Sequence, residues 1–262
     1  MTTRKLLQGK VAIVTGAGAG IGRGSTIVLA RAGAQVVVSD IDAEGGAETV
    51  RGIKDMGGDA IFVRADVAKN DEVKSLISQT EKIYGGLDIM HANAGITLYV
   101  DLEAMKESEL DRVLNINLKG ALLCAMHAIP AMKKRGGGSI VFTSSVLCTI
   151  GFPQCVVYSA TKAGMIGAAR SLAVEVGKYN IRVNCVSPGT INTPMLARDV
   201  ADMNMKGDKD FLQKVCNANA LGRIGEPDDV GNAVVWLSSD LASYVTGENL
   251  FVDGAFTAVK RF

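Results

Sequence analysis

Histidine is nearly absent from this chain: His91 and His127 are the two copies in 262 residues. Metal-ligand spacing cannot be built around them, and no resident metal is expected. The five cysteines, Cys124, Cys148, Cys155, Cys185 and Cys216, are odd in number and form no C-x-x-C pair. That pattern reads as reduced thiols in a reducing compartment, not as a disulfide framework. An excess of either charge is also missing, with 28 Lys and Arg against 27 Asp and Glu and a net charge of +1. Nothing there favours a nucleic-acid or anionic-membrane surface. No apolar run reaches the length of a membrane span, and Met1 to Lys10 is polar and basic, without the apolar centre of a leader segment. The expectation is a soluble, cytoplasmic protein that engages neither nucleic acid nor membrane.

What is present is a core-forming composition, with a mean hydropathy of +0.21. Residues 1–262 are expected to form one α/β domain, since no repeat, low-complexity tract or linker interrupts them. Short apolar runs alternate with amphipathic ones. Strands are predicted at Val11–Val14, Val36–Asp40, Ala60–Val63, Leu87–Met90, Ser139–Thr143, Ile181–Val186 and Asn249–Val252. Between them the pattern predicts helices at about Arg23–Ala32, Glu44–Met56, Asp71–Tyr84, Glu107–Met132 (one long, bent helix), Tyr158–Tyr179 and Glu226–Leu237. Val73, Leu76, Ile77 and Ile83 are expected on the inner side of the third of these helices. Ser187-Pro188-Gly189 should break the sixth strand, and residues 191–216 read as polar, Met-rich and irregular, a candidate lid containing Met195, Met203 and Met205. Strand–helix alternation throughout predicts a parallel, doubly wound sheet with helices on both faces.

Two stretches carry chemistry. The first strand runs into Thr15-Gly16-Ala17-Gly18-Ala19-Gly20-Ile21-Gly22, and the next strand closes on Asp40. Glycines at a strand-to-helix turn let backbone N–H groups approach a pyrophosphate, where a Cβ would hold it off. A tight connection would use glycine too, so the acid at the end of the next strand is what points to a dinucleotide. Asp40, Asp66, Asn93, Ser145 and Pro188-Gly189 all fall just past predicted strands and should share the edge where such sheets bind ligands. Each alone could be a turn residue or cap.

The second stretch is Tyr158-Ser159-Ala160-Thr161-Lys162. Residues four apart share a helix face. A cation about 4 Å from a phenol, at an effective dielectric of about 20, favours the phenolate by roughly 4 kcal/mol. That would move a pKa of about 10 by about three units, to near 7, where a tyrosine can exchange a proton in either direction. His91, Cys148 and Cys155 read more simply as a packed histidine and reduced pocket-wall thiols.

These residues together resemble the short-chain dehydrogenases/reductases. The likeness spans nearly the whole chain. It rests on the T-G-x-x-x-G-I-G turn at Thr15–Gly22, Asp66-Val67, Asn93-Ala94-Gly95, Asn115–Gly120, Ser145 ahead of Tyr158 and Lys162, Pro188-Gly189, and the ending Tyr244-Val245-Thr246-Gly247…Val252-Asp253-Gly254. Ala92 stands where the family usually has a second Asn, and Met203–Asp210 matches no subfamily pattern. The resemblance implies a single-domain Rossmann fold and hydride transfer between a nicotinamide cofactor and an alcohol or carbonyl. By the same resemblance Tyr158 is the general acid/base, assisted by Lys162, Ser145 and Asn117, the last anchoring a water that leads to Lys162. It places Gly16, Gly20, Ile21, Gly22, Asp40, Asp66, Val67, Asn93, Ala94, Gly95, Tyr158, Lys162, Pro188, Gly189, Ile191 and Thr193 against the cofactor. The family habit is a homotetramer, and the apolar residues on more than one face of the Tyr158–Tyr179 helix are consistent with pairing between subunits.

Asp40 favours NAD, because a carboxylate can accept both ribose hydroxyls and would repel a 2′-phosphate. Arg23 is the close cation that could compensate. The expected activity is an NAD-dependent dehydrogenation of a secondary alcohol, or reduction of its ketone. An NADP-linked carbonyl reductase and a catalytically silent nucleotide-binding scaffold are the competing readings. Presence of all four residues Asn117, Ser145, Tyr158 and Lys162 speaks against the scaffold. The substrate pocket is expected from Ile96, Leu98, Tyr99, Val146, Leu147, Phe152, Gln154, Cys155, Met195 and Leu196, with Arg198 the single nearby cation. That lining suits a neutral, fairly apolar, cyclic or aromatic alcohol, with sugars and polyols left open.

Overall fold

Seven parallel strands form one sheet in the order β3-β2-β1-β4-β5-β6-β7. The structure, a computed structural model, describes residues 5–202 and 211–258. The strands are β1 (Val11–Thr15), β2 (Gln35–Asp40), β3 (Asp59–Arg64), β4 (Ile89–Ala92), β5 (Gly138–Thr143), β6 (Ile181–Pro188) and β7 (Asn249–Val252). The helices among the described residues are α1 (Gly20–Arg31), α2 (Ala43–Asp55), α3 (Asn70–Tyr84), α4 (Glu107–Val113), α5 (Gly120–Arg135), α6 (Val156–Val176), α7 (Pro194–Asp202), α8 (Phe211–Ala218) and α9 (Pro227–Ser238).

Both faces of the sheet are covered, which is why its central strands read as unbroken apolar runs. Ile13 and Val37 point into a core built with α3, α5 and α6. Their neighbours Ala12, Val14, Val36 and Val38 point the other way, into a core with α1 and α9. The chain builds β1, β2 and β3 outward and then returns past β1 to start β4. That reversal opens a crevice at the carboxyl ends of β1 and β4, where ligands bind in such sheets.

Several boundaries differ from expectation. Helix α1 starts at Gly20, not Arg23, because its glycines serve packing: a Cβ on Gly24 would lie 2.4 Å from Pro227 of α9. β4 lies later than Leu87–Met90 and takes in His91 and Ala92. β6 runs through Pro188, which lies beyond the end of the pairing with β5, so its missing N–H removes no bond from that ladder. The long helix from Glu107 is in three parts, with Leu114–Lys119 in π-helical form between α4 and α5. Taken together, Glu107–Arg135 is long and apolar enough by length and composition to cross a membrane, although no unbroken apolar run within it reaches that length. Here Cys124, Ala125, Ala128, Ala131 and Met132 of that helix are buried in the core. Ile83 of α3 is 53% exposed, and the inner face continues through Thr80 to Tyr84 instead.

The stretch expected to be irregular contains two helices, α7 and α8. The signal was there to read: Thr193 precedes Pro194, and the Thr193 hydroxyl accepts from the Leu196 N–H at 3.2 Å as an N-cap. Met203 and Met205 lie outside the described residues.

Candidate active site

A cleft of about 730 Å³ lies along the carboxyl ends of the strands. Gly16, Gly20, Ile21, Gly22, Asp40, Asp66, Val67, Asn93, Ala94, Gly95, Pro188, Gly189, Ile191 and Thr193 all line it, together with Ser145, Tyr158 and Lys162. Asn117 does not line the cleft but is fully buried behind it.

At one end the backbone dominates. Gly16 and Gly20 have φ of +65° and +54°, and a Cβ on Gly16 would lie 2.8 Å from the Ala94 Cα. A Cβ on Gly22 would come within 2.0 Å of the Gly16 carbonyl oxygen. Ala19, at the N-cap of α1, offers no side-chain cap. The opening N–H groups of α1 have no partner within the helix and carry its positive dipole end, which suits an anion such as pyrophosphate. Beyond the turn, Asp40 accepts from the Gly18 N–H at 2.8 Å and from the Asp42 N–H at 3.0 Å. Arg23, the nearby cation, is bound to the Gly18 carbonyl and pairs with Glu48 at 2.8 Å. Arg64, beside Asp40 in the sheet register, pairs with Glu72 at 3.5 Å. The turn, the helix end and the acid therefore fit a nicotinamide dinucleotide.

Asn93 ties three strands together. Its side-chain amide donates to the Thr15 carbonyl at 3.0 Å, so its oxygen faces the Thr143 hydroxyl at 3.1 Å. Thr143 uses its one proton in that bond, so the His91 Nε2 at 2.8 Å must be the donor to Thr143. His91 is therefore the neutral Nε2–H tautomer, and complete burial lowers its pKa to about 3. It is a packed histidine whose tautomer follows from the direction of the Asn93–Thr143 bond. Ala92, where a second Asn was expected, is a buried strand residue and leaves this clamp intact.

Tyr158 and Lys162 both reach the middle of the cleft from α6. The electrostatics differ from the two-charge expectation. Burial pushes the Tyr158 phenol up to about 12; a hydrogen bond with Ser145 opposes this, and the Asp199 charge adds to it. Burial pushes Lys162 down to about 8. The ammonium lies 5.5 Å from the centre of the Tyr158 ring and donates to the Thr143 carbonyl at 2.7 Å. Burial is therefore the larger influence on the Tyr158 phenol. Burial and the lysine's own bond to Thr143 account for the difference. Ser145 accepts from the Leu147 N–H at 3.2 Å, fixing the start of the loop that leads to α6.

Asn117 sits in the π-helical segment. Its side chain accepts from the Ile96 N–H at 2.8 Å and donates to the Ile96 carbonyl at 2.9 Å. These bonds pin the loop after Gly95.

The other end of the cleft is walled by side chains. Ile96, Tyr99, Val146, Leu147, Phe152, Met195 and Leu196 line it as expected. Leu98, Gln154 and Cys155 do not. Gln154 takes φ +63° and turns to Asp101, and Cys155 is buried at the start of α6. Cys148 faces a second cavity beside Asn249 rather than this cleft. Arg198 has company: Lys214 of α8 also lines the cleft. Unforeseen wall residues include Thr97, Asp199, Val215, Ala218 and Phe256.

Comparison with known proteins accounts for this architecture. A family model described as enoyl-(acyl carrier protein) reductase matches residues 16–257. A 2,5-dichloro-2,5-cyclohexadiene-1,4-diol dehydrogenase of Sphingobium indicum is 41% identical over 260 residues, covering 97% of this chain and 99% of that one. The chain belongs to the short-chain dehydrogenase/reductase family. Another family member, a cis-4-hydroxycyclohexanecarboxylate dehydrogenase of Sinomonas cyclohexanicum, is 39% identical and covers 95% of this chain and 97% of its own. The crystal structure of levodione reductase superposes with a TM-score of 0.93 at 30% identity, covering 97% of this chain and 100% of that one. Relatives of this short-chain dehydrogenase/reductase are oxidoreductases, dehydrogenases of alcohol-like substrates and reductases among them, and the family uses nicotinamide cofactors.

Proposed function

We propose that this protein is an NAD-dependent dehydrogenase of cyclic secondary alcohols, running in reverse as a carbonyl reductase. The observation that carries the reading is the convergence of Ser145, Tyr158 and Lys162 on one cleft whose far end is a glycine turn closed by Asp40. When bound, NAD accepts the hydride. The rest is done by side chains. Ser145 holds the substrate oxygen by a hydrogen bond beside the Tyr158 hydroxyl. For oxidation, Tyr158 first gives its proton to solvent. Lys162, still largely protonated at neutral pH, stabilises that phenolate, and the phenolate then takes the alcohol proton. For reduction, the phenol gives its proton to the carbonyl oxygen. Asn117 holds the Ile96 backbone and so sets the loop between the two ends of the cleft.

Asp40 selects NAD. Its carboxylate is fixed by two backbone N–H groups, and the adjacent cations Arg23 and Arg64 are paired with Glu48 and Glu72. A 2′-phosphate would meet a negative charge with no cation released to meet it. The apolar wall and the cyclic substrates named for two relatives support a cyclic alcohol as the class.

On this reading residues 1–262 act as one domain, with α7 and α8 forming the lid. The free cysteines suit a cytoplasmic setting. Leu122 and Met126 on α5, Val174 on the neighbouring α6, and Leu241 with Tyr244 after α9 are exposed apolar residues, which supports a homotetramer.

The test is the formation of reduced nicotinamide from NAD across a panel of cyclic and open-chain secondary alcohols. Turnover should be found with cyclic members and should fall about 10²–10⁴-fold in Tyr158→Phe, with NAD still bound. A variant that keeps a tenth of the activity, or a panel without turnover, removes the reading.

A further inference from the structure

Phe256 is the last residue in sequence to line the cleft, and the chemistry above leaves it unused. It follows β7, at the edge of the sheet opposite the strands that present Asp40 and Asp66. It is half-buried. The turn that carries it is fixed from within and from both sides. The Asp253 carboxylate accepts from the Ala255 N–H at 2.9 Å, from the Thr257 N–H at 2.9 Å and from the Thr257 hydroxyl at 2.7 Å. Ala255 takes φ +64°, a left-handed conformation that a residue with a side chain keeps only where its surroundings impose it. On one side the Gly189 N–H donates to the Val252 carbonyl at 3.0 Å. On the other the Ala220 N–H, just past the end of α8, donates to the Gly254 carbonyl at 2.8 Å. Val215 and Ala218 of α8 line the same cleft. This part of the substrate wall is therefore set by backbone hydrogen bonds.

Resting on the cyclic-alcohol reading, we propose that Phe256 is a specificity-determining residue. It closes the substrate end of the cleft beside α8 and limits the size of substrate admitted, and Asp253 is the positioning residue that holds it there. The preferred class is a secondary alcohol on a single ring without a branched substituent. A cleft of about 730 Å³ has to hold the dinucleotide as well as the substrate. A side chain whose backbone is pinned on both sides cannot swing out to admit more carbons, and forcing them into filled space is unfavourable.

The experiment compares kcat/KM with NAD for cyclohexanol and for 4-tert-butylcyclohexanol, in the full chain and in Phe256→Ala, Phe256→Leu and Asp253→Ala. The unmutated protein should prefer cyclohexanol by at least about tenfold. Phe256→Ala should raise KM for cyclohexanol by about two- to fivefold, through lost apolar contact. It should raise kcat/KM for the larger alcohol, bringing the ratio below about threefold. Phe256→Leu keeps an apolar side chain and should move the ratio part of the way, and it carries the test if the alanine variant does not fold. Asp253→Ala frees the turn and should move the ratio in the same direction, whereas a merely structural role would lower both substrates alike. Equal use of the two alcohols by the unmutated protein overturns the proposal. So does a ratio that stays put in both Phe256 variants while cyclohexanol is still turned over, and the cyclic-alcohol reading then stands. Absence of cyclohexanol turnover in the unmutated protein defeats that reading and the proposal with it.

Discussion

The two ends of the cleft are built from different material. At the dinucleotide end the contacts are backbone to backbone or through short polar side chains: Gly16, Gly22, Thr15, Asn93 and Thr143. Adding one methyl group at Gly22 or Gly16 meets a neighbour at 2.0 or 2.8 Å. At the substrate end the contacts are between longer side chains on two loops and on α7, Tyr99 with Phe152 and Thr97 with Asp199, and Phe152 is 40% exposed. A close-packed backbone turn cannot give way, whereas a partly exposed side chain can be trimmed or replaced. The difference teaches that the cofactor end tolerates almost no change of volume, while the substrate end is where chemistry can be retuned at small cost.

The comparison breaks most visibly at Gly22. Gly22→Ala adds one carbon against the Gly16 carbonyl oxygen. Overpacking of this kind should weaken NAD binding by roughly 10- to 100-fold, read by fluorescence titration with reduced nicotinamide alongside circular dichroism to follow the fold. Unchanged binding with an unchanged fold would show that the turn yields. The opposite operation at the other end is Phe152→Ala, which removes a whole ring from its edge contact with Tyr99 at 6.3 Å. It should raise KM for apolar alcohols by only about two- to fivefold, with NAD binding intact, because a partly exposed side chain loses little burial. A larger loss from Phe152→Ala than from Gly22→Ala would reverse the comparison.

A subtler effect belongs to Tyr158, where the two ends meet. Its phenol is pushed up to about 12, so the ligand-free protein should hold it protonated throughout the neutral range. The sign is that of a group raised above its unfolded value: the contribution to stability is present below about pH 10 and fades as pH climbs through the folded value. A difference titration of phenolate absorbance between the unmutated protein and Tyr158→Phe should show no signal below about pH 9. A phenolate appearing near pH 7 would restore the simple Lys162 pairing.

The same contrast governs what could be read from the sequence. The turn at Thr15–Gly22, Asp40 and Asn93 are local features at strand ends, and β–α alternation alone brings such positions to one edge. Thr97 and Asp199 meet across 102 positions of sequence, and no local pattern announces that. The helix α7 was legible in its Thr193-Pro194 start but hidden by the polar residues around it. Proximity in sequence puts Leu98, Gln154 and Cys155 in the pocket, and the left-handed turn at Gln154 directs Gln154 and Cys155 elsewhere. The Tyr158 pKa is not legible for a different reason. A pair of charges can be counted from spacing, but burial can be counted only once the fold surrounds it.

The central claim is that a fixed carboxylate at the end of β2, with its neighbouring cations already paired, makes this a dehydrogenase that uses NAD. The most direct test is kcat/KM for one cyclic secondary alcohol measured with NAD and with NADP, in the unmutated protein and in Asp40→Ala. Like-charge repulsion of roughly 1–4 kcal/mol and lost charged hydrogen bonds of about 1.5–3 kcal/mol predict a preference for NAD of nearly a hundredfold or more, reduced in Asp40→Ala by weaker use of NAD. Equal values for the two cofactors in the unmutated protein, or a preference for NADP, would contradict the account.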